Sequence, residues 1–502
     1  MTDEPAAPVL VLELRDPSGQ VRVEGPHTHS QGYRLPGEWD GVQEGIWAEW
    51  RWDGRELVVR NDRLGCSPLF WFASGPRIGV SPSLLALLPH LGDRGLDDDA
   101  LAVFLRYRSF IGEDTPFRHV RALAPGSTLR WMDGRVELAS LGPVHFAPET
   151  GSRQRRQPEY AGVVASAIAR ALAARPGRVA LPLTGGLDSR LLLYSMLEQG
   201  RAPDLCLTVH QLPPRDDGDV AFAAGLAAET GVPHLVLAQP EGRLARQLRN
   251  LERTHFCTHE HDFYQPVPEY LRREGFEAFL DGIGGDLQAE PNHITQGINR
   301  LLDAGRVEEA AASVLGEKYL PAVLTDSARR RWSRDRAIAH LLAGLKPFLG
   351  DADPWGRFRV YSRTRRNVAL LTWSLHLGGA MGLAPFLDRE VVELLGPIPW
   401  QELGDRTFRV EVLARAYPRW GARPRSGADF SGVGGWRDLL TYGRSILEWG
   451  GKRALRSDLV RAAFLPPRLL RAHLDRGYAR EIPSACELPV YLLELERWME
   501  PS

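Results

Sequence analysis

The stretch Leu181-Pro-Leu-Thr-Gly-Gly-Leu-Asp-Ser-Arg190 constrains this chain more than any other. Arg178-Val179-Ala180 leads into it as a strand, and Leu191-Leu-Leu-Tyr-Ser-Met-Leu197 leaves it as a helix ending at Gly200. A strand, a tight glycine turn and a helix start are the parts of a phosphate site. Gly185 and Gly186 let the backbone approach an anion that a Cβ would hold off. The first helical residues, Leu187, Asp188 and Ser189, bring unpaired N–H groups and the positive end of the helix dipole. Thr184 and Ser189 add hydroxyl donors. Asp188 is out of place beside an anion unless it holds Mg²⁺ that bridges to phosphate. The competing structural reading is a turn followed by an N-capped helix. With no lysine, this is not the Gly-x-x-x-x-Gly-Lys-Ser/Thr loop. Pro182 cannot donate to a ladder, so a bulge is predicted there.

A second strand end carries a similar sign, Phe279-Leu-Asp-Gly-Ile-Gly-Gly-Asp286. Gly284 and Gly285 fit phosphate contact, and Asp286 would stand beside Asp188 as a paired carboxylate for Mg²⁺. Without a metal the pair would repel each other and a nucleotide. Strands are predicted at Asp204–Val209, with Thr208 near the nucleotide end, at Pro233–Leu237 and at Phe276–Leu280. Helices are predicted at Tyr160–Ala174 and Asp219–Glu229. This alternation implies an α/β fold with a doubly wound parallel sheet, its ligand site at the carboxyl ends of the strands.

Composition narrows the function. The net charge is −1, which gives no reason to expect nucleic acid or an anionic membrane as partner. The only lysines are Lys318, Lys346 and Lys452, so lysine chemistry has few candidates. The four cysteines form no Cys-x-x-Cys pair, which suits buried thiols in a reducing compartment. With no basic region before an apolar one at Met1–Pro5, and no long apolar run, the expectation is a soluble cytoplasmic protein.

Residues 1 to about 140 read as β-rich, with short helices at Ser83–Leu88 and Asp97–Arg108. Pro143 to Pro158 reads as a polar linker with a solvated basic run, Arg153 to Arg156. His255-Phe-Cys-Thr-His-Glu-His261 has two readings. At strand spacing His255, Cys257, His259 and His261 would share one face and could bind zinc. Otherwise the segment is a packed or substrate-facing loop.

The two Gly-rich motifs are similar to those of the asparagine synthetase family, whose members cleave ATP between the α and β phosphates. Three further phrases carry the resemblance. Asn61-Asp-Arg-Leu-Gly-Cys-Ser-Pro-Leu-Phe70, with Thr115–Leu129, resembles the family's N-terminal glutaminase domain. Arg365-Arg366 leading to Leu383-Ala-Pro-Phe-Leu-Asp388 resembles the segment framing the substrate pocket, and so points to Arg366, Pro385, Phe386 and Asp388. Arg423-Pro-Arg-Ser-Gly427 resembles the segment carrying a catalytic lysine, with Arg425 in the lysine's place. Arginine can hold pyrophosphate but cannot shuttle protons.

The resemblance implies an Ntn-hydrolase-like α+β domain at 1–142, a linker at 143–158 and an ATP-pyrophosphatase domain with extra helices at 159–502. Departures shape the expected activity. The chain starts Met1-Thr2 where working glutaminases expose a cysteine, so the first domain is expected to be a scaffold. Ile283 and Leu287 replace two family glutamates, and in β-lactam synthetases the position of Ile283 holds a tyrosine that helps deprotonate the amine. The implied function is ATP- and Mg²⁺-dependent amide formation by Asp188, Asp286 and Arg425 through an acyl-adenylate. The expected substrate is a small molecule or a peptide cyclised as in β-lactam synthetases and lasso-peptide cyclases, which would bring in a precursor peptide and its leader-handling proteins. The alternatives are an ammonia-using asparagine synthetase and a non-catalytic homologue that binds a nucleotide or a partner.

Overall fold

The computed structural model describes residues 6–15, 20–211, 218–239, 242–286, 291–420 and 435–500. The alternating apolar residues of the first part build two five-stranded antiparallel sheets. One has the order β2-β1-β7-β6-β8, from Leu10–Leu14 (β1), Val21–Glu24 (β2), Phe70–Ser74 (β6), Arg77–Ser81 (β7) and Arg121–Ala122 (β8). The other runs β10-β9-β5-β4-β3, from Thr28–Trp39 (β3), Val42–Trp52 (β4), Leu57–Asn61 (β5), Ser127–Met132 (β9) and Arg135–Ser140 (β10). Leu10, Leu12, Ile78 and Val80 of the first sheet meet Trp50, Val59, Leu129 and Trp131 of the second in a shared core.

The second part holds a parallel sheet in the order β13-β12-β11-β14-β15. Its strands are Val179–Pro182 (β11), Leu205–Val209 (β12), His234–Leu237 (β13), Ala278–Leu280 (β14) and Met381–Leu383 (β15). The chain winds outward from β11 to β13, then returns to the other side of β11 for β14. That reversal opens a crevice at the carboxyl ends of β11 and β14, where both Gly-rich motifs lie. The mixed α/β class expected from the sequence is the class observed.

Three local expectations change. Pro182 does not bulge the strand; it stays in register with Leu207. β14 pairs β11 only at Val179 and Ala180, so at Pro182 no β14 residue asks for the missing N–H. The segment read as a linker enters a helix early, since Ser152–Ala174 is one helix that includes Pro158. Its basic run is not merely solvated: Arg153 pairs with Asp405 at 2.8 Å, and Arg155 and Arg156 each reach Glu149 at 2.5 Å. Finally, His255 to His261 is not a strand. His255, Phe256 and His261 have φ of +55°, +59° and +64°, the left-handed region that breaks any two-residue alternation.

The largest apolar core runs through both parts of the chain. At their junction Phe104 stacks on Phe110 at 4.5 Å and on Tyr491 of the last helix at 4.8 Å. A π-helical segment, Val360–Val368, adds two buried guanidinium groups. Arg365 donates to the carbonyls of Gly65 (3.0 Å), Gly112 (2.7 Å) and Leu123. Among the described residues no helix is long and apolar enough to cross a membrane.

Candidate active site

β11 delivers the loop Thr184–Gly186 into the crevice, and the helix Leu187–Glu198 starts directly after it. The loop is held by its own polar groups. Gly186 N–H donates to Thr184 Oγ1 at 3.1 Å, Thr184 N–H to Ser189 Oγ at 3.2 Å, and Gly185 N–H to Asp219 Oδ1 at 3.0 Å. Both hydroxyls expected to face phosphate are thus turned onto the loop itself. Thr208 is buried, donates to the Leu183 carbonyl at 2.7 Å and meets His234 Nε2 at 2.8 Å. It braces the strand end from which the loop springs. Arg190, also buried, donates to the Gly186 carbonyl at 3.3 Å and lies over the Phe222 ring.

The two glycine motifs touch through Asp188. A Cβ on Gly285 would stand 2.5 Å from Asp188 Oδ1, and one on Gly282 would stand 3.1 Å from Asp188 Cβ. Phe386 closes the other side, 3.1 Å from that imagined Gly285 carbon. Gly284 takes φ +88°, a left-handed turn that suits glycine and turns the chain back toward the loop. Asp286 follows two residues later and is exposed. Asp281 fixes the turn: its half-buried carboxylate accepts from Thr372 Oγ1 at 2.7 Å and from Ile283 N–H at 2.9 Å. Burial raises the Asp281 pKa above the carboxylate norm, and these two hydrogen bonds oppose the rise. Ile283 is buried and packs in the core.

Asp188 also has a cationic partner that nothing in the sequence flagged. Arg409, on the helix Phe408–Ala416, donates from Nη1 to Asp188 Oδ1. Only 5% of the Arg409 side chain is exposed, against 22% for Asp188. Neither Arg409 nor Asp219 stands near a glycine motif in sequence, and each reads there as an ordinary residue of an amphipathic helix.

The other expected site residues divide. Pro385 and Phe386 are buried at the crevice wall. Asp388 caps the helix Arg389–Leu395, as its place before a helical run implies, and pairs with Arg170 at 2.6 Å. Arg366 faces the N-terminal sheets: it donates to the Asp114 carbonyl and lies over the Phe70 ring. Arg425 and Leu287 lie outside the described residues. The suggested zinc ligands do not converge. Cys257 Sγ contacts the His255 carbonyl at 3.5 Å, and His259 packs edge-on against Phe104. Among the described residues no group of three or more His, Cys, Asp or Glu is placed to hold a metal ion.

Glycine-rich strand ends meeting at the reversal point of a parallel sheet are the arrangement in which open α/β folds bind their ligands. The family comparison is more specific. The family model described as Asparagine synthase matches residues 159–500, and that described as Glutamine amidotransferase domain matches 41–141. The first spans well over half the chain, so the protein belongs to the asparagine synthase family, as an ATP-dependent ligase of the amide-forming kind. A search of curated proteins found no match. Among solved structures, the U34-tRNA thiolase NcsA from Methanococcus maripaludis is 14% identical with a TM-score of 0.22, covering 59% of this chain and 80% of that one. A glutamine phosphoribosylpyrophosphate amidotransferase from B. subtilis is 12% identical with a TM-score of 0.16, covering 60% of this chain and 61% of that one.

A divalent cation of the kind such ligases imply would find its protein ligands in two carboxylates here. Asp188 and Asp286 are hard oxygen donors, and the Asp188 carboxylate already attracts a positive charge, that of Arg409.

Proposed function

We propose that the protein adenylates a substrate carboxylate and transfers the acyl group to an amine, with ATP as co-substrate and Mg²⁺ as cofactor. A carboxylate oxygen attacks the α-phosphorus, the α–β anhydride bond breaks and pyrophosphate leaves. The amine then attacks the acyl carbon and AMP leaves with the bonding pair. The loop Thr184–Ser189 takes the phosphates once its donors turn from one another to the ligand. Asp188 and Asp286 would hold Mg²⁺, which supplies neutralisation of phosphate charge. Arg409 compensates Asp188 in the meantime, and Arg425 is assigned to the departing pyrophosphate. The observation carrying this reading is the contact of Asp188 with Gly282 and Gly285, which joins the two motifs at the crevice.

The amine is taken to belong to the substrate, giving a cyclic peptide or natural product. All four cysteines are buried, which leaves no thiol on the surface for glutamine hydrolysis. Burial pushes the Cys66 thiol well above its ordinary pKa. Free ammonia with aspartate is the second reading, favoured by the family match itself. A homologue retired from catalysis is the third, favoured by Ile283.

The test is release of AMP and pyrophosphate from ATP with candidate substrates. Peptides or amino-carboxylates that trigger release favour cyclisation, and dependence on aspartate plus ammonia favours the second reading. Asp188→Ala is expected to abolish release; turnover retained in that variant contradicts the assignment.

A further inference from the structure

A second cavity, of about 640 Å³, lies where the two parts of the chain meet, beside Gln211 just beyond the carboxyl end of β12. It is several times larger than a single ion needs and falls in the range of small-molecule sites. Its wall is polar and carries five arginines against three carboxylates. Two of those carboxylates are already engaged, Glu260 with Arg363 at 3.1 Å and Asp262 with Arg246 at 3.8 Å.

Two arginines are not engaged. Arg108, at the end of the helix Asp98–Tyr107, and Arg480, near the start of the last helix, form no side-chain hydrogen bond or ion pair with any described residue. They approach the cavity from opposite parts of the chain. Between them His259 lines the wall with 7% of its side chain exposed, and its Nδ1 is buried without a hydrogen-bond partner. Burial drives the His259 pKa down to about 3, so the ring is neutral, with Nε2 3.7 Å from Glu487 and Nδ1 unbonded.

The backbone is strained here as well. Two of the lining residues, Arg108 and His261, are non-glycine positions with left-handed φ, +67° and +64°. Arg363, another lining residue, comes from the π-helical segment. Such strain and π-helical turns gather at functional sites.

We propose that this cavity binds an acidic peptide segment, whose carboxylates Arg108 and Arg480 hold from opposite walls while His259 bonds its backbone. Taking that segment for the substrate rests on the amide-forming reading above; its binding does not.

The full chain is titrated calorimetrically with triglutamate, triglutamine and succinate, and separately with MgATP. Saturable binding of triglutamate, with triglutamine and succinate at least about tenfold weaker, is expected. Arg108→Met and Arg480→Ala should each weaken triglutamate about tenfold or more, the loss of one charge-assisted pair. Arg480 is exposed, so its variant folds even if Arg108→Met does not. No triglutamate binding, equal binding of succinate, unchanged affinity in both variants, or displacement of triglutamate by ATP overturns the proposal. MgATP binding in the same samples reports on the adenylation reading independently.

Discussion

Gly285 and Asp188 come from different strand ends, yet a Cβ on the first would stand 2.5 Å from Oδ1 of the second. The conformational freedom of glycine is secondary here; what matters is the space an absent side chain leaves for a carboxylate. Gly285→Ala should therefore push Asp188 away from both Gly285 and Arg409. The expected result is at least a tenfold loss of MgATP affinity, with a stability cost of about 1–3 kcal/mol from overpacking. Titration calorimetry and thermal unfolding on one sample separate the two effects.

Arg409 competes with a cation for Asp188. In Arg409→Met the carboxylate loses its resident positive charge, so less Mg²⁺ should be needed for half-maximal ATP binding. A severalfold fall in that concentration is expected. A rise would mean that Arg409 assists the cation.

Arg365 is structural. Replacing it by Met leaves two buried carbonyl acceptors, those of Gly65 and Leu123, without their arginine donor, at about 1–3 kcal/mol for each group left unpaired, while exposed Gly112 can turn to water. Denaturant unfolding should show a loss of several kcal/mol, with substrate KM unchanged in whatever protein remains folded.

Much of this was legible in the sequence, for identifiable reasons. The Leu181–Arg190 motif is local: strand, turn and helix start all lie within its ten residues, and they appear where the spacing puts them. Short apolar runs between turns likewise mark β12, β13 and β14 and the β-rich character of the first part, but not β15. What stayed hidden depends on tertiary approach. Arg409 reaches Asp188 from a remote helix, and Asp219 reaches Gly185 from the far side of β12. Arg366 reads as a pocket residue by resemblance, but the π-helical turn that carries it faces the N-terminal sheets. His255 to His261 alternates like a strand on paper, and only its left-handed residues undo that spacing.

Acid should unfold the protein early. Burial lowers the pKa of His255, His259 and His376 to about 3, below the ordinary 6.5. The unfolded chain then binds about three protons that the folded one refuses. Their contribution to stability is present above pH 6.5 and is lost as pH falls toward 3, by about 4 kcal/mol per pH unit once below pH 6. Asp62 and Glu494 work the other way. Burial raises their pKa to about 6 and about 7, so their stabilisation is present below about pH 4 and lost as pH rises through 6 to 7. Three groups outweigh two. Guanidinium unfolding at pH 7.0 and 5.0 should show the net loss on acidification, and His376→Phe should reduce that loss by about half or more, because the opposing carboxyls remain.

The central claim is that Asp188 and Asp286 form a cation-dependent ATP site. It is tested most directly by calorimetric titration of ATP into the native chain and into Asp188→Ala/Asp286→Ala, each with and without Mg²⁺. The account predicts ATP binding that requires Mg²⁺ in the native chain and disappears in the double variant. Binding that ignores Mg²⁺, or that survives loss of both carboxylates, would contradict it.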